Sequence, residues 1–365
     1  MNITRRSFIA GGAAAAGAWL SGCARSQPAG VRSYSVAVLG DIHFDSTDPK
    51  FYHRDYTHST TKKRYEAHLK EHVRNAEMWK ERMPSLVRAS GACVRADTAF
   101  ALQMGDLVQG DCGNAAVHRQ MLDDVFGFVK DAYGGRLPFV TVVGNHDIRG
   151  DIPEDGAKET FDAWQPPLMS RELGVPVQGT TFSFRQGPDV FIVVDFNEPR
   201  PDFALLKRLF AESEDARYTF LVSHGPAIPS CRSRWFLLGY KRRTEERREL
   251  LSILARRNAI VLAGHTHLME WYDCVLPEGR ISQFVFNSVW SRPELSEARV
   301  RGRGAGIYGG GIACKDLADE YRPLVKDGFI ANAAGHYRLE VGDECVAVVF
   351  YGGDSTTPTQ TFALR

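Results

Sequence analysis

The chain has 365 residues, with 45 Lys and Arg set against 44 Asp and Glu, a formal net charge of +1 and 44% apolar residues. That length suits one large domain or two small ones, and the apolar and charged fractions are those of an ordinary globular chain. A charge this close to zero gives no whole-molecule steering toward nucleic acid, and no apolar run is long enough to be an internal membrane span.

In chain order, the first segment is a targeting sequence. Thr4-Arg5-Arg6-Ser7-Phe8-Ile9 resembles a twin-arginine export signal. A weakly hydrophobic Ala/Gly stretch then runs from Ile9 to Leu20 and ends in Leu20-Ser21-Gly22-Cys23, which resembles the lipobox of bacterial lipoproteins. The resemblance implies a lipidated Cys23 as the new N-terminus, hence an exported protein, periplasmic or in the cell envelope, held to a membrane through that lipid. Residues 1–23 are therefore left out of fold reasoning, and residues 24–33 read as a small, polar tether. Six further cysteines, Cys93, Cys112, Cys231, Cys274, Cys314 and Cys345, permit disulfides without selecting among about 15 pairings. No CxxC occurs, which argues against a thiolate zinc cluster.

The first core strand is expected at Tyr34-Ser35-Val36-Ala37-Val38-Leu39, running directly into Gly40-Asp41-Ile42-His43. An Asp and a His two apart on extended chain point the same way, so both can grip one ion. Residues 44–61, with His53 and His58, read as a loop near a site mouth, where a histidine is by default solvated. Residues 62–90 carry helix formers and many charges and predict one or two surface helices broken at Pro84. Ala99–Met104 predicts a second core strand, and it ends in Gly105-Asp106. A helix over 115–132 leads to the apolar run Pro138–Val143, which stops at Gly144-Asn145-His146-Asp147. There Asn145 offers a neutral oxygen, His146 an imidazole, and Asp147 a carboxylate that could hold that ring.

Further on, helices are expected at 157–172, 202–213 and 244–257, and strands at 180–184, 190–195, 218–223, 259–263, 269–275, 281–287, 336–341 and 344–351. The strand at 218–223 ends in His224, and the one at 259–263 in Gly264-His265-Thr266-His267. Alternation of strands and helices argues a layered α/β domain with parallel central strands. Residues 290–335 show no clear pattern and read as an excursion over one face. Gly304-Ala305-Gly306-Ile307-Tyr308-Gly309 matches GxGxxG, but no apolar strand precedes it and no helical pattern follows, so it reads as a loop.

Five strand ends thus carry Asp41 and His43, Asp106, Asn145 and His146, His224, and His265 and His267. Oxygen and imidazole donors suit Zn, Mn or Fe. Seven donors are too many for one four-coordinate ion and fit two ions that share a carboxylate. As an ordered set, Asp41-x-His43, Gly105-Asp106, Gly144-Asn145-His146-Asp147, His224 and Gly264-His265-Thr266-His267 resemble the calcineurin-like metallophosphoesterase family, from about Tyr34 to residue 287 or beyond. The resemblance implies a four-layer α/β/β/α sandwich over residues 34–365, with cap insertions at 44–95, 226–244 and 290–335. It assigns Asp41, His43 and His267 to a first divalent metal, Asn145, His224 and His265 to a second, and Asp106 to both. His146 would face the scissile phosphate and assist the leaving group as an imidazolium, with Asp147 orienting it. The implied reaction is in-line attack by a hydroxide bridging the two metals.

Within the family, a metal-binding tyrosine stands three residues after the shared Asp in purple acid phosphatases, and an Asp-Arg pair begins there in Ser/Thr protein phosphatases, whose Asn-His motif continues with Glu. Here Gln109-Gly110 and Asp147 match neither. The pattern looks more like bacterial phosphodiesterase-type members, so the expected substrate is a small phosphodiester. Phosphomonoester or nucleotide diphosphate hydrolysis on the same site, and a non-catalytic lipoprotein binding a phosphorylated ligand, are the alternatives. A basic segment after His224 offers Arg232, Arg234 and Lys241 to a further phosphate and Trp235 to a base, against the plainer reading of a solvated basic face. No nucleic-acid polymer and no obligate protein partner are expected.

Overall fold

The computed structural model describes residues 33–46, 62–112, 114–149, 156–229, 235–308 and 315–365. The export signal, Cys23, the tether up to residue 32, His53, His58, Cys231, Arg232, Arg234, Gly309 and Cys314 lie outside the described residues. Among the described residues no helix is long and apolar enough to cross a membrane. Cys93, Cys112, Cys274 and Cys345 form no disulfide.

The elements follow their local chemistry. Strand β1 (Tyr34–Leu39) is buried throughout, as its apolar run requires. Helices α1 (Lys62–Lys80) and α2 (Arg82–Ala92) separate at Glu81, not at Pro84. Pro84 falls in the first turn of α2, where a missing N–H costs no intrahelical bond. After β2 (Thr98–Gln103), helix α3 (Ala115–Ala132) is capped by Asn114, whose side chain accepts from Val117 N at 2.9 Å. It buries His118, Met121, Leu122, Val125 and Val129, one face at helical spacing. Then come β3 (Phe139–Thr141), α4 (Ala157–Leu173), β4 (Phe182–Gln186), β5 (Asp189–Val194), α5 (Phe203–Ala211), β6 (Thr219–Ser223), α6 (Thr244–Arg256) and β7 (Ile260–Ala263). The chain ends with β8 (Met269–Leu276), β9 (Gly279–Val285), β10 (Arg299–Arg303), α7 (Lys315–Tyr321), β11 (Val325–Asn332), β12 (Gly335–Val341), β13 (Val346–Gly352) and β14 (Gln360–Ala363).

Two sheets result. The first has six strands in the order β14-β13-β12-β1-β2-β3, and the second eight, β10-β11-β8-β9-β7-β6-β5-β4. In the first, β1, β2 and β3 are parallel. In the second, β5, β6 and β7 are parallel, with α5 and α6 as the crossovers. The C-terminal β12 returns to lie antiparallel to β1, pairing Tyr34 with Val341.

Residues 290–335 are not a patternless excursion. They contain β11, which pairs on β8, and β10, which pairs on β11, and together these widen the second sheet. Arg-Val-Arg-Gly-Arg in β10 has no apolar alternation because it is an exposed edge strand. In β11, Lys326, Asp327 and Gly328 interrupt the run.

The sheets pack face to face. Phe100 of β2 meets Phe184 and Phe191 of the other sheet, at 5.3 and 5.2 Å between ring centroids. Along β5, Phe191 and Val193 enter this inner core, while Val190, Ile192 and Val194 pack outward with Leu206 and Leu209 of α5 and Leu250 and Leu254 of α6. Met83 and Leu86 of α2 and Met121 of α3 pack into the core of the first sheet. The architecture is the expected α/β/β/α sandwich.

Candidate metal centre

Parallel strands of both sheets end at one edge of the sandwich, and this brings distant residues together. Asp41 and His43 follow β1, Asp106 follows β2, Asn145 to Asp147 follow β3, His224 follows β6, and His265 and His267 follow β7. Four of these side chains sit on left-handed backbone: His43 at φ 43°, Asp106 at 53°, His265 at 75° and His267 at 53°. Non-glycine residues in this region are held against a penalty on the order of 1–3 kcal/mol each, and such strain concentrates where side chains must be aimed.

The donor atoms of Asp41, His43, Asp106 and His267 all lie within 4.8 Å of one another, and so do those of Asp106, His224 and His265. Asp106 belongs to both groups. In the first, His43 Nε2 is 3.0 Å from His267 Nε2, and His267 Nε2 is 3.2 Å from Asp41 Oδ2. In the second, His224 Nε2 is 3.2 Å from Asp106 Oδ2 and 3.2 Å from His265 Nδ1. His224 Nδ1 donates to the Met104 carbonyl at 2.7 Å, which fixes the ring with Nε2 turned inward. Asn145 Oδ1 is buried and accepts no hydrogen bond. A buried amide oxygen without a donor is costly unless a cation satisfies it.

Electrostatics agree with this geometry. Burial and the adjacent His146 hold His43 well below the ordinary imidazole range. Burial and His224 push His265 down to about 3. Burial disfavours the ionised form of Asp106, but His224 and His146 outweigh it and keep the carboxyl well below the usual range. His224 differs: burial opposes its charge, yet Asp106 and Asp41 push it up to about 9. Two carboxylates and facing imidazole lone pairs therefore call for positive charge at this point. Oxygen and imidazole donors converging this closely fit two divalent ions of the Zn, Mn or Fe type sharing Asp106.

His146 and Asp147 take parts other than those expected. His146 Nδ1 donates to the Gln109 carbonyl at 2.9 Å, and its Nε2 lies 3.2 Å from Arg149 Nη1. Burial is the main reason its pKa is lowered, and Arg149 adds to it. In that pairing Nε2 is the acceptor, because a guanidinium only donates. Asp147 does not orient it. Fully buried, Asp147 accepts from Gly144 N at 2.8 Å and Val108 N at 3.1 Å, bracing the turns after β2 and β3.

The residues behind His146 escape sequence reasoning. Arg149 is held by Asp111 Oδ2 at 2.7 Å and Glu71 Oε2 at 2.7 Å. Gln109 accepts from Asn75 and donates to Glu71 at 3.0 Å, so its buried side chain turns toward α1. Glu71 and Asn75 sit mid-helix with no local motif to mark them. Of the basic segment, Arg232 and Arg234 lie outside the described residues. A cavity of about 480 Å³ opens beside Asn145, and this segment lines it with Trp235, Phe236 and Tyr240, while Lys241 stands exposed outside it. Trp235 lies parallel to the His265 ring at 6.1 Å.

A profile of calcineurin-like phosphoesterases matches residues 34–269. A search of curated proteins found no match. Among solved structures, the purple acid phosphatase PPD1 from yellow lupin (Lupinus luteus) seeds is similar at 12% identity and a TM-score of 0.54, over 92% of this chain and 54% of that one. The chain thus spans about half the length of the lupin protein. PhoD is similar at 13% identity and a TM-score of 0.50, over 92% of this chain and 69% of that one. A dimetal phosphatase from Danio rerio aligns at 11% identity with a TM-score of 0.49, over 91% and 99% of the two chains. At these identities the likeness is one of fold.

Proposed function

The chain belongs to the calcineurin-like phosphoesterase family, and from that premise we propose that it hydrolyses a small phosphodiester on a pair of divalent ions. It is a metal-dependent hydrolase of phosphoric esters. The observation that supports a pair of ions is the membership of Asp106 in both donor groups.

In this reading Asp41, His43 and His267 hold one ion, Asn145, His224 and His265 the other, and Asp106 joins them. Two such ions would neutralise the anionic oxygens of the ester and lower the pKa of an attacking water. The chain's own residues do the remaining work. His146 donates its backbone N–H to Asp106 Oδ1 at 2.8 Å, and its ring lies 4.6 Å from that of His43, so it borders the reacting group. The Gln109 carbonyl fixes its tautomer, and Arg149 sets a guanidinium at Nε2. Glu71 and Asp111 balance the charge of Arg149, so this side offers no spare cation to a dianionic monoester, which favours the monoanionic diester. The cavity beside Asn145 has room for one of the two organic groups of a diester.

Assay of bis-p-nitrophenyl phosphate against p-nitrophenyl phosphate with added Mn²⁺ tests this. Faster release from the diester is expected. A preference for the monoester would make the protein a phosphomonoesterase, and binding without turnover of either would make it a phosphate-binding lipoprotein. The reading includes export and lipid attachment at Cys23. Cys23→Ala is expected to move the protein from the membrane fraction to the soluble fraction, and membrane retention of that variant would count against lipidation.

A further inference from the structure

We infer that the metal centre has a second anion subsite on the side of His267, which takes a further phosphoryl group carried by the substrate. The inference deepens the phosphodiester reading and rests on it for the identity of the ligand.

A cavity of about 200 Å³ beside His267 is lined by Arg74, Arg292, Arg301, Ser291 and Asn332 among others. The three guanidinium groups come from separate places: Arg74 from α1, Arg292 from the loop after β9, and Arg301 from β10. Several partly buried arginines of this protein are matched to a carboxylate. Arg217 pairs with Asp189 at 2.6 Å, Arg200 with Asp195 at 2.9 Å, and Arg149 with Asp111 and Glu71. Among the described residues neither Arg74 nor Arg301 makes an ion pair within 4 Å, although Arg74 lies near enough to Glu71 to help lower its pKa. Arg74 donates through Nε to Asn75 Oδ1 at 3.2 Å, and Arg292 reaches only the exposed Glu294, at 3.5 Å.

Three like charges around one small cavity repel, and an anion relieves that repulsion. Edge strands do carry basic residues to discourage pairing with other chains, and that purpose alone could explain Arg299, Arg301 and Arg303 on β10. It does not explain why Arg74 and Arg292, from other elements, line the same cavity. A tetrahedral phosphoryl group has enough oxygens to meet several guanidinium forks at once, with Ser291 and Asn332 as neutral partners. Of the seven donors only His267 lines this cavity, whereas Asn145 lines the one beside Trp235, so the two cavities open on different sides of the metal centre. Contact with His267 puts the smaller cavity within reach of a group on the same substrate.

The test uses a matched chromogenic pair, thymidine 5′-(p-nitrophenyl phosphate) with and without a 3′-phosphate, on the full Mn²⁺-loaded chain. The extra phosphate is expected to lower KM roughly tenfold. Arg301→Gln and Arg74→Gln should erase that advantage, and Arg301→Glu should reverse it. Raising NaCl to about 0.5 M should shrink it, because the subsite is exposed to solvent. Calorimetric binding of thymidine 3′,5′-bisphosphate against thymidine 5′-phosphate gives a second readout that needs no turnover. If both esters turn over with equal KM and both nucleotides bind equally, the subsite is overturned while hydrolysis stands. If neither ester is cleaved but the bisphosphate binds more tightly through Arg301, the subsite stands and the hydrolytic reading falls. An advantage that survives in Arg301→Glu also overturns the proposal.

Discussion

Asn145, His146 and Asp147 are consecutive, yet each faces a different partner. Asn145 keeps a buried amide oxygen without a donor among the described residues, His146 leans on Gln109 and Arg149, and Asp147 turns back to two backbone amides. Mutations of the three should therefore fail in different ways. His146→Ala is expected to keep both ions and lose turnover by roughly 10²-fold, the cost of misplacing a positioned group, because it removes the ring on which the Arg149 guanidinium rests. Metal analysis after gel filtration checks this, since lost metal would move His146 into the ligand set. Asp147→Ala leaves the Gly144 and Val108 amides buried without an acceptor, at about 1–3 kcal/mol each. Its signature is a lowered melting temperature with the ligand set intact; an unchanged melt with lost turnover would restore Asp147 to the chemistry. The seven donors were legible because each follows an apolar run at a strand end. The part taken by Asp147 was not, since its partners are set by how two turns pack and the tetrapeptide carries no sign of them.

Two glycines at the strand ends make the close approach of the elements possible. A Cβ on Gly264 would lie 2.4 Å from Asp41 Oδ1, and one on Gly144 would lie 2.1 Å from Asp106 N. Either alanine must displace a carboxylate that the ions share or lean on, so Gly264→Ala and Gly144→Ala should weaken metal binding by titration calorimetry. Gly127, inside α3, meets nothing within 4 Å, and Gly127→Ala should instead stabilise by about 0.5–1 kcal/mol with metal binding untouched. On β12, His336 is buried, donates to the Ser355 carbonyl at 2.9 Å and is pushed by burial down to about 4. An imidazole whose folded pKa lies below its unfolded value favours the fold above the unfolded pKa near ~6.5 and loses that contribution as pH falls toward the folded value. The wild type should therefore lose about 3 kcal/mol of stability between those two pH values from this group, and His336→Gln should show a flatter acid limb in urea melts. Sequence patterning found the buried strands and the amphipathic helices because apolar periodicity records which face is covered. It missed β10 and β11, whose pairing is decided by the strand each lies beside, β11 and β8 in turn, and not by their own composition.

Across the whole molecule, the donors divide between the two sheets. Asp41, His43, Asp106 and Asn145 end strands of the six-stranded sheet, and His224, His265 and His267 end strands of the eight-stranded one. Elsewhere the sheets are joined by apolar contact, such as that of Phe100 with Phe184 and Phe191. At this edge they meet through buried carboxylates and imidazoles, which attract each other only where protons or cations sit between them. Ions held by these residues would therefore crosslink the two halves of the sandwich. An ion that binds only the folded chain stabilises it by about 4 kcal/mol at a thousandfold excess over its Kd. For a chain of this size each kcal/mol moves the midpoint by roughly 2–4 °C, so dialysis against a chelator should lower the melting temperature by on the order of 10 °C, and Mn²⁺ should restore it. Asp106→Ala, which removes the side chain common to both donor groups, should lose both ions, melt near the chelated wild type and show no further drop when chelator is added. A variant that kept one ion, or a wild type whose melt ignored the chelator, would mean that the two sheets do not share the metals at this edge.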